Sequence, residues 1–319
     1  MLYRFFGILV LGFVVAACAT PNTDNYLENV VLVLDWTPNT NHTGFFVAID
    51  RGYFEAEGLA VEVIQPFEDG SITLVAAGHA QFGISFQEEV VVAANASVPL
   101  PVVAIAALVQ DNTSGVLSLA EHGITSFAEL EGRTFGSWMI PIYDEIIREA
   151  IRMDGGNPDL VEFVPNMALD TITAITLEFD ATWVFEGWDR VIADMQGIAT
   201  NFLALRDISP IFNYYTPVLI THTGSVHDPT TQAFLRASRR GFEFAQNNPT
   251  EAAHILHNHA PEMDIDILLA SQQFLSQVYF HDTWGYINEE RWMGFFNWMQ
   301  ENGFIAEDAE NSGFYMTDF

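Results

Sequence analysis

Lysine is absent from this chain of 319 residues, and its eleven basic residues are all arginine, set against forty-two acidic ones. A net charge of −31 repels nucleic acid and anionic headgroups, so neither is expected as a partner. With no side-chain amine, a Schiff base on lysine is excluded. Cysteine occurs once, at Cys18, which removes disulfides, thiolate catalysis and cysteine-based zinc sites from everything after it. Nucleophile-elbow, phosphate-loop and HExxH patterns are also missing. No apolar run is long enough to span a bilayer. What remains is a chain that is 50% hydrophobic, too apolar for disorder and long enough for two domain-sized units. The acidity itself informs solubility and habitat more than any specific site.

Residues 1–18 read as a processing signal. Arg4 supplies a positive start and Phe5 to Val15 a short apolar run, the pattern of an export signal. The run ends in Val15-Ala16-Ala17-Cys18, which resembles the bacterial lipobox, whose cysteine is acylated and becomes the new N-terminus. A plain signal peptide with an incidental cysteine is the alternative. Residues 19–28, rich in Thr, Asn and Pro, are expected to tether the lipid to the domain.

Beyond the tether, strand and helix patterns alternate. Val30 to Leu34 is a continuous apolar run of the kind a doubly covered strand shows. Further strands are expected at 61–64, 82–85, 102–109, 133–137, 161–164 and 181–185, with helices at 45–52, 73–78, 88–94 and 143–153. After Tyr214 the chain is expected to be mainly helical, with Asp228-Pro229 and Asn248-Pro249 as helix starts and later helices over 264–278 and 289–301. The repeated β-α-β order predicts an α/β fold with mostly parallel sheets. Two such series, the second starting after Asp111-Asn112-Thr113-Ser114-Gly115, suggest two lobes with a ligand cleft between them.

Several runs carry a family resemblance. Leu34-Asp35-Trp36-Thr37-Pro38-Asn39-Thr40-Asn41-His42 resembles the opening strand and loop of the thiamine-pyrimidine-precursor (formylaminopyrimidine) binding proteins. Arg51-Gly52-Tyr53-Phe54, Glu57-Gly58-Leu59, Ala77-Gly78-His79-Ala80-Gln81-Phe82-Gly83, Trp183-Val184-Phe185-Glu186-Gly187-Trp188 and Asn213-Tyr214-Tyr215-Thr216-Pro217 follow in the order expected there. The resemblance implies a two-lobed periplasmic-binding-protein fold (type II), each lobe a mostly parallel sheet flanked by helices. Lobe I would take 28–110 and 214–319, and lobe II 111–213. It further implies an extracytoplasmic binding protein, held to the membrane only by its lipid. Such a protein would act as a monomer without a cofactor and deliver a small heteroaromatic ligand to an ABC permease and its ATPase.

A flat ring is held well between aromatic faces, with polar groups at its edge. Trp36, Phe86, Trp138, Trp183, Tyr214 and Tyr215 lie near predicted strand ends, where α/β clefts place ligands. Glu186, just after the strand Trp183-Val184-Phe185, ranks first among polar candidates, because a carboxylate accepts from an amine and a protonated ring nitrogen. Its alternative role is a first-turn acid favoured by the helix dipole. Asn39, His42, Gln87 and Glu88 form a second tier, each at a loop or helix start where it could merely cap.

Other readings are weaker. The eukaryotic aminopyrimidine synthases of the same superfamily use pyridoxal phosphate, iron and their own histidine. The lysine and histidine they carry are missing from Ser85-Phe86-Gln87-Glu88-Glu89, and no cysteine stands in Phe212 to Val218. His254, His257 and His259 fall in one predicted helix and offer a metal-capture alternative, with His254 and His257 on one face. Hydroxymethylpyrimidine, riboflavin-like rings, sulfonates and nitrate are alternative ligands. An oxyanion is disfavoured because Gly136-Ser137-Trp138-Met139-Ile140-Pro141 holds no basic residue.

Overall fold

A computed structural model describes residues 27–66, 70–168, 170–310 and 312–315. The segment expected to be an export signal, with Cys18, and most of the expected tether lie outside the described residues. Ten strands form two five-stranded sheets. They are β1 (Glu28–Val33), β2 (Leu59–Ile64), β3 (Phe82–Ser85), β4 (Val102–Ala107), β5 (Ser114–Leu119), β6 (Thr134–Ser137), β7 (Glu162–Pro165), β8 (Ala181–Phe185), β9 (Thr200–Ala204) and β10 (Val218–His222).

The first sheet runs β2-β1-β3-β10-β4 and the second β7-β6-β8-β5-β9. Each has one reversed strand. β10 is antiparallel to β3 and β4, and β5 is antiparallel to β8 and β9. The remaining pairings are parallel. The fold is therefore α/β with two lobes, as the alternating pattern implies. Sequence periodicity passes over β5 and β9, because Ser-Gly-Val-Leu-Ser-Leu and Thr-Asn-Phe-Leu-Ala mix polar and apolar residues as turns do, and over β10, whose apolar Val-Leu-Ile-Thr-His lies in a stretch expected to be mainly helical.

The apolar face of each element finds a layer. Val30, Leu32, Phe82 and Ile105 pack on helices 43–50 and 229–247 on one side of the first sheet. Leu117, Ile172, Ile175 and Val184 fill the outer side of the second. A third cluster is shared, running from Val33, Val90 and Ala104 through Phe212, Tyr214 and Phe295 to Phe135, Ile146 and Trp183. The two lobes are thus joined by apolar contact as well as by chain.

The chain crosses between the sheets twice, at 108–113 and 205–217. Both crossings leave the carboxyl end of an edge strand, β4 or β9, and enter the amino end of a reversed one, so both lie on the cleft side. A polar knot ties them. The Asn213 side-chain oxygen accepts from the Asn112 N–H at 2.8 Å and from Arg291 at 3.1 Å. Its amide donates to Asp111 at 3.0 Å. Although burial opposes charge on Asp111, Asn213, Arg291 and His281 together hold its pKa below the ordinary carboxylate value.

Two glycines let helices 43–50 and 229–247 touch at backbone distance. A methyl on Gly241 would overlap the carbonyl oxygen of Gly44, and one on Gly44 would enter the Phe242 ring. All ten described arginines are engaged. Arg51, Arg133, Arg152, Arg190, Arg206, Arg236 and Arg239 are ion-paired, and Arg148, Arg240 and Arg291 lie over aromatic rings.

Candidate ligand-binding site

The carboxyl ends of β1, β3, β6 and β8 face one another across the lobes. After β3 the backbone stays extended through Phe86 and turns into helix 87–94. The Gln87 amide fixes that start, donating to the Trp292 carbonyl and accepting from the Tyr215 N–H, each at 2.9 Å. Glu88 is thereby aimed into the interior, where it is 2% exposed.

From the other lobe, Pro141 at the first helical position starts helix 141–153 and sets Tyr143 opposite. The Tyr143 hydroxyl donates to Glu88 Oε1 at 2.7 Å, bridging the lobes. Its ring lies 5.2 Å from Trp183 and 5.6 Å edge-on from Trp138. Trp138 also approaches Trp183 at 6.1 Å and Phe185 at 6.4 Å. Tyr214 is buried beside them, stacked on Phe295 at 3.9 Å.

Two buried polar atoms in this cluster have no hydrogen-bond partner: Glu88 Oε2 and Trp183 Nε1. An unpaired buried polar atom costs about 1–3 kcal/mol, and native interiors hold few of them. One lies on each lobe, within a mostly aromatic lining, which suits a flat ring with polar edge atoms.

The electrostatics follow from burial. Desolvation, reinforced by Glu89, pushes the Glu88 carboxyl up to about 8, while the Tyr143 hydrogen bond works the other way. Burial therefore favours the neutral acid form of Glu88. Burial raises Glu89 too, against a hydrogen bond from Ser85 and with Asp35 adding to the rise. Tyr143 is held far above the ordinary tyrosine value by burial and by Glu88, so it remains the donor in its bond.

Glu88, Trp138, Trp183 and Tyr214, all candidates from sequence, are brought together. Phe86 adjoins them as the residue before helix 87–94. Tyr143 is the member that sequence reading misses. The signal for it was its place two residues after the helix-starting Pro141, which puts it in the first turn facing the strand ends.

The other candidates have different surroundings. Trp36 stands 68% exposed on the loop after β1. The Asn39 side chain accepts from the Asn41 N–H and donates to the Thr37 carbonyl. His42 is buried, with Nδ1 accepting from the Asn39 N–H and Nε2 against Asp35 at 2.6 Å. The Tyr215 hydroxyl accepts from the Asn288 N–H at 2.9 Å, and the Arg291 guanidinium covers its ring at 4.2 Å.

Glu186, ranked first from sequence, has an arginine on each oxygen. Arg190 donates to Oε1 at 2.5 Å and Arg206 to Oε2 at 2.8 Å, and Arg206 continues to the Asn112 carbonyl at the crossing. Glu186→Gln should therefore act mainly on the fold. Loss of one charge-assisted bond in this part-buried pair costs about 1–2 kcal/mol. Thermal melts are expected to show a lower Tm with ligand affinity near the wild-type value; a large affinity loss at unchanged Tm would return Glu186 to the ligand.

Residues 39–252 match the family model described as NMT1/THI5 like. The chain belongs to the NMT1/THI5-like family.

This NMT1/THI5-like chain is 27% identical to the formylaminopyrimidine-binding protein of Halalkalibacterium halodurans, across 97% of the chain and 98% of that protein. It is 23% identical to a 4-amino-5-hydroxymethyl-2-methylpyrimidine phosphate synthase of Legionella pneumophila, across 74% of the chain and 75% of the synthase. In three dimensions it is similar to the periplasmic aliphatic sulphonate binding protein SsuA of Escherichia coli. The TM-score is 0.69 at 12% identity, covering 87% of this chain and 88% of that one. That likeness places the fold among the periplasmic binding proteins.

Among the described residues of this NMT1/THI5-like chain, no group of three or more His, Cys, Asp or Glu is placed to hold a metal. His259, from the metal-capture alternative, packs on Phe46 at 5.2 Å.

Proposed function

We propose that this protein captures a thiamine pyrimidine precursor, formylaminopyrimidine or a close relative, between its lobes and presents it to an ABC permease. The observation that carries the reading is the pair of partnerless buried atoms, Glu88 Oε2 and Trp183 Nε1, set in an aromatic cluster shared by both lobes. An aminopyrimidine offers what such a pair lacks, ring nitrogens that accept from Trp183 Nε1–H and from the neutral Glu88 acid, and a flat face for Trp138, Tyr143 and Trp183. In this reading 28–110 with 214–319, and 111–213, move as two bodies that close on the ligand. Cys18 carries the lipid that holds the protein outside the cytoplasmic membrane.

The similarity to a synthase favours a second reading, that the chain makes a pyrimidine. Its residues fit that chemistry poorly. The chain has no lysine to hold pyridoxal phosphate and no cysteine after Cys18.

Titration calorimetry and thermal melts of residues 19–319 against formylaminopyrimidine, hydroxymethylpyrimidine, riboflavin and an alkanesulfonate decide between these readings. A pyrimidine present at about 100 times its Kd should stabilise the fold by roughly 2.7 kcal/mol and be recovered unchanged. Preferential binding of the sulfonate would replace the ligand assignment, and a chemically altered pyrimidine would replace the binding role with catalysis.

A further inference from the structure

We propose that Glu88 meets its ligand as a neutral acid and gives its proton to a pyrimidine ring nitrogen, so that capture is a proton transfer as well as a docking. The inference rests on the pyrimidine reading above and deepens it. Tyr143 already donates to Oε1, so the acid's own proton sits on Oε2, the atom without a partner. In the transfer the Oε2–H bond breaks and its electron pair stays on the carboxylate. The lone pair of the ring nitrogen takes the proton. The carboxylate formed is still held by the Tyr143 hydroxyl, and the cationic ring replaces the solvent that burial has denied it. Trp183 Nε1–H donates to a second acceptor on the ligand.

The surroundings leave this task to the ligand. On its own helix Glu88 faces Glu89, whose charge disfavours a second one. Helix 141–153 contributes Tyr143, the segment before β10 contributes Tyr214, and the end of β3 contributes Ser85, which bonds Glu89. Asp35, beyond Glu89, is a further acid, engaged with His42. No arginine among the described residues is ion-paired with Glu88, so the countercharge for its carboxylate is the protonated ring.

Calorimetry with formylaminopyrimidine and with 4-amino-5-hydroxymethyl-2-methylpyrimidine, from pH 6 to 9.5 in buffers of unlike ionisation enthalpy, tests the transfer. Above the range where free Glu88 loses its proton, each capture must take one proton from solvent. Affinity should then fall about tenfold per pH unit. Glu88→Gln, which keeps an acceptor for Tyr143 but has no acidic proton, should bind more weakly and lose this alkaline fall. The ultraviolet spectrum of the bound pyrimidine should be that of its protonated ring at a pH where the free compound is neutral. Binding that is flat in pH, or an equal fall in Glu88→Gln, or a neutral spectrum for the bound ring, overturns the transfer while leaving pyrimidine capture intact. No binding of either compound overturns both.

Discussion

Replacing Glu88 by leucine and Tyr143 by phenylalanine together is expected to stabilise the unliganded protein while weakening pyrimidine binding about a hundredfold. The two effects share one cause. Glu88 is buried with one oxygen unpartnered, and removing both members of a buried polar pair in favour of apolar groups of similar shape is neutral or stabilising. The double change matters, since Glu88→Leu alone would leave the Tyr143 hydroxyl without its acceptor.

The gain should also depend on pH. The folded-state pKa of Glu88, about 8, lies above its ordinary value of 4.5, so the folded protein binds this proton more tightly than the unfolded chain. The stability from that proton is fully present below about pH 4.5 and is lost as pH rises through 8. The Tm advantage of the double variant should therefore widen between these limits. A variant that melts below wild type at pH 8, or that still binds pyrimidine tightly, would show that Glu88 is structural and that the ligand lies elsewhere.

The largest loss of stability is expected from Gly241→Ala. Helix propensity alone favours this change by about 1 kcal/mol, because glycine is costly inside a helix. Packing opposes it. The new methyl would lie inside the contact distance of the Gly44 carbonyl oxygen and 3.0 Å from Ala48 Cβ. The obstacle is backbone within a second helix, which cannot turn aside as a side chain would, so the two helices must separate. A net loss of about 3 kcal/mol is expected, read as a lower urea midpoint at unchanged m-value. Equal or greater stability would mean that the helix pair slides to admit the methyl and is not fixed by this contact.

Much of the first sheet was legible in the chain because β1, β3 and β4 are continuous apolar runs, and β8 likewise in the second. The reversed strands were not, β10 because its short apolar run lies in a stretch whose later caps point to helices. Gly115 in β5 lies so close to the Leu203 carbonyl and the Phe202 ring that a Cβ has no room, yet in sequence the same glycine signals a turn.

The site divided in a similar way. Strand-end position pointed to Trp138, Trp183 and Tyr214, but nothing local distinguishes Glu88, one acid of an adjacent pair at a helix start, as the buried member. That distinction comes from Gln87, locked by partners more than a hundred residues away. The opposite holds for Glu186, whose Arg190 partner stands four residues on and is readable as a helix pair, while Arg206 is not.

The position of the two crossings has a mechanical consequence. Both lie at the strand ends that carry the aromatic cluster, so any rotation of one sheet against the other pivots close to that cluster and moves the opposite strand ends through the widest arc. The turns before β3 and β8, far from the cluster, are the tips of these levers. Since no cysteine follows Cys18, a single thiol placed at each tip would be unique, and the distance between two dyes there would magnify a closure of a few degrees that is nearly invisible at the site itself.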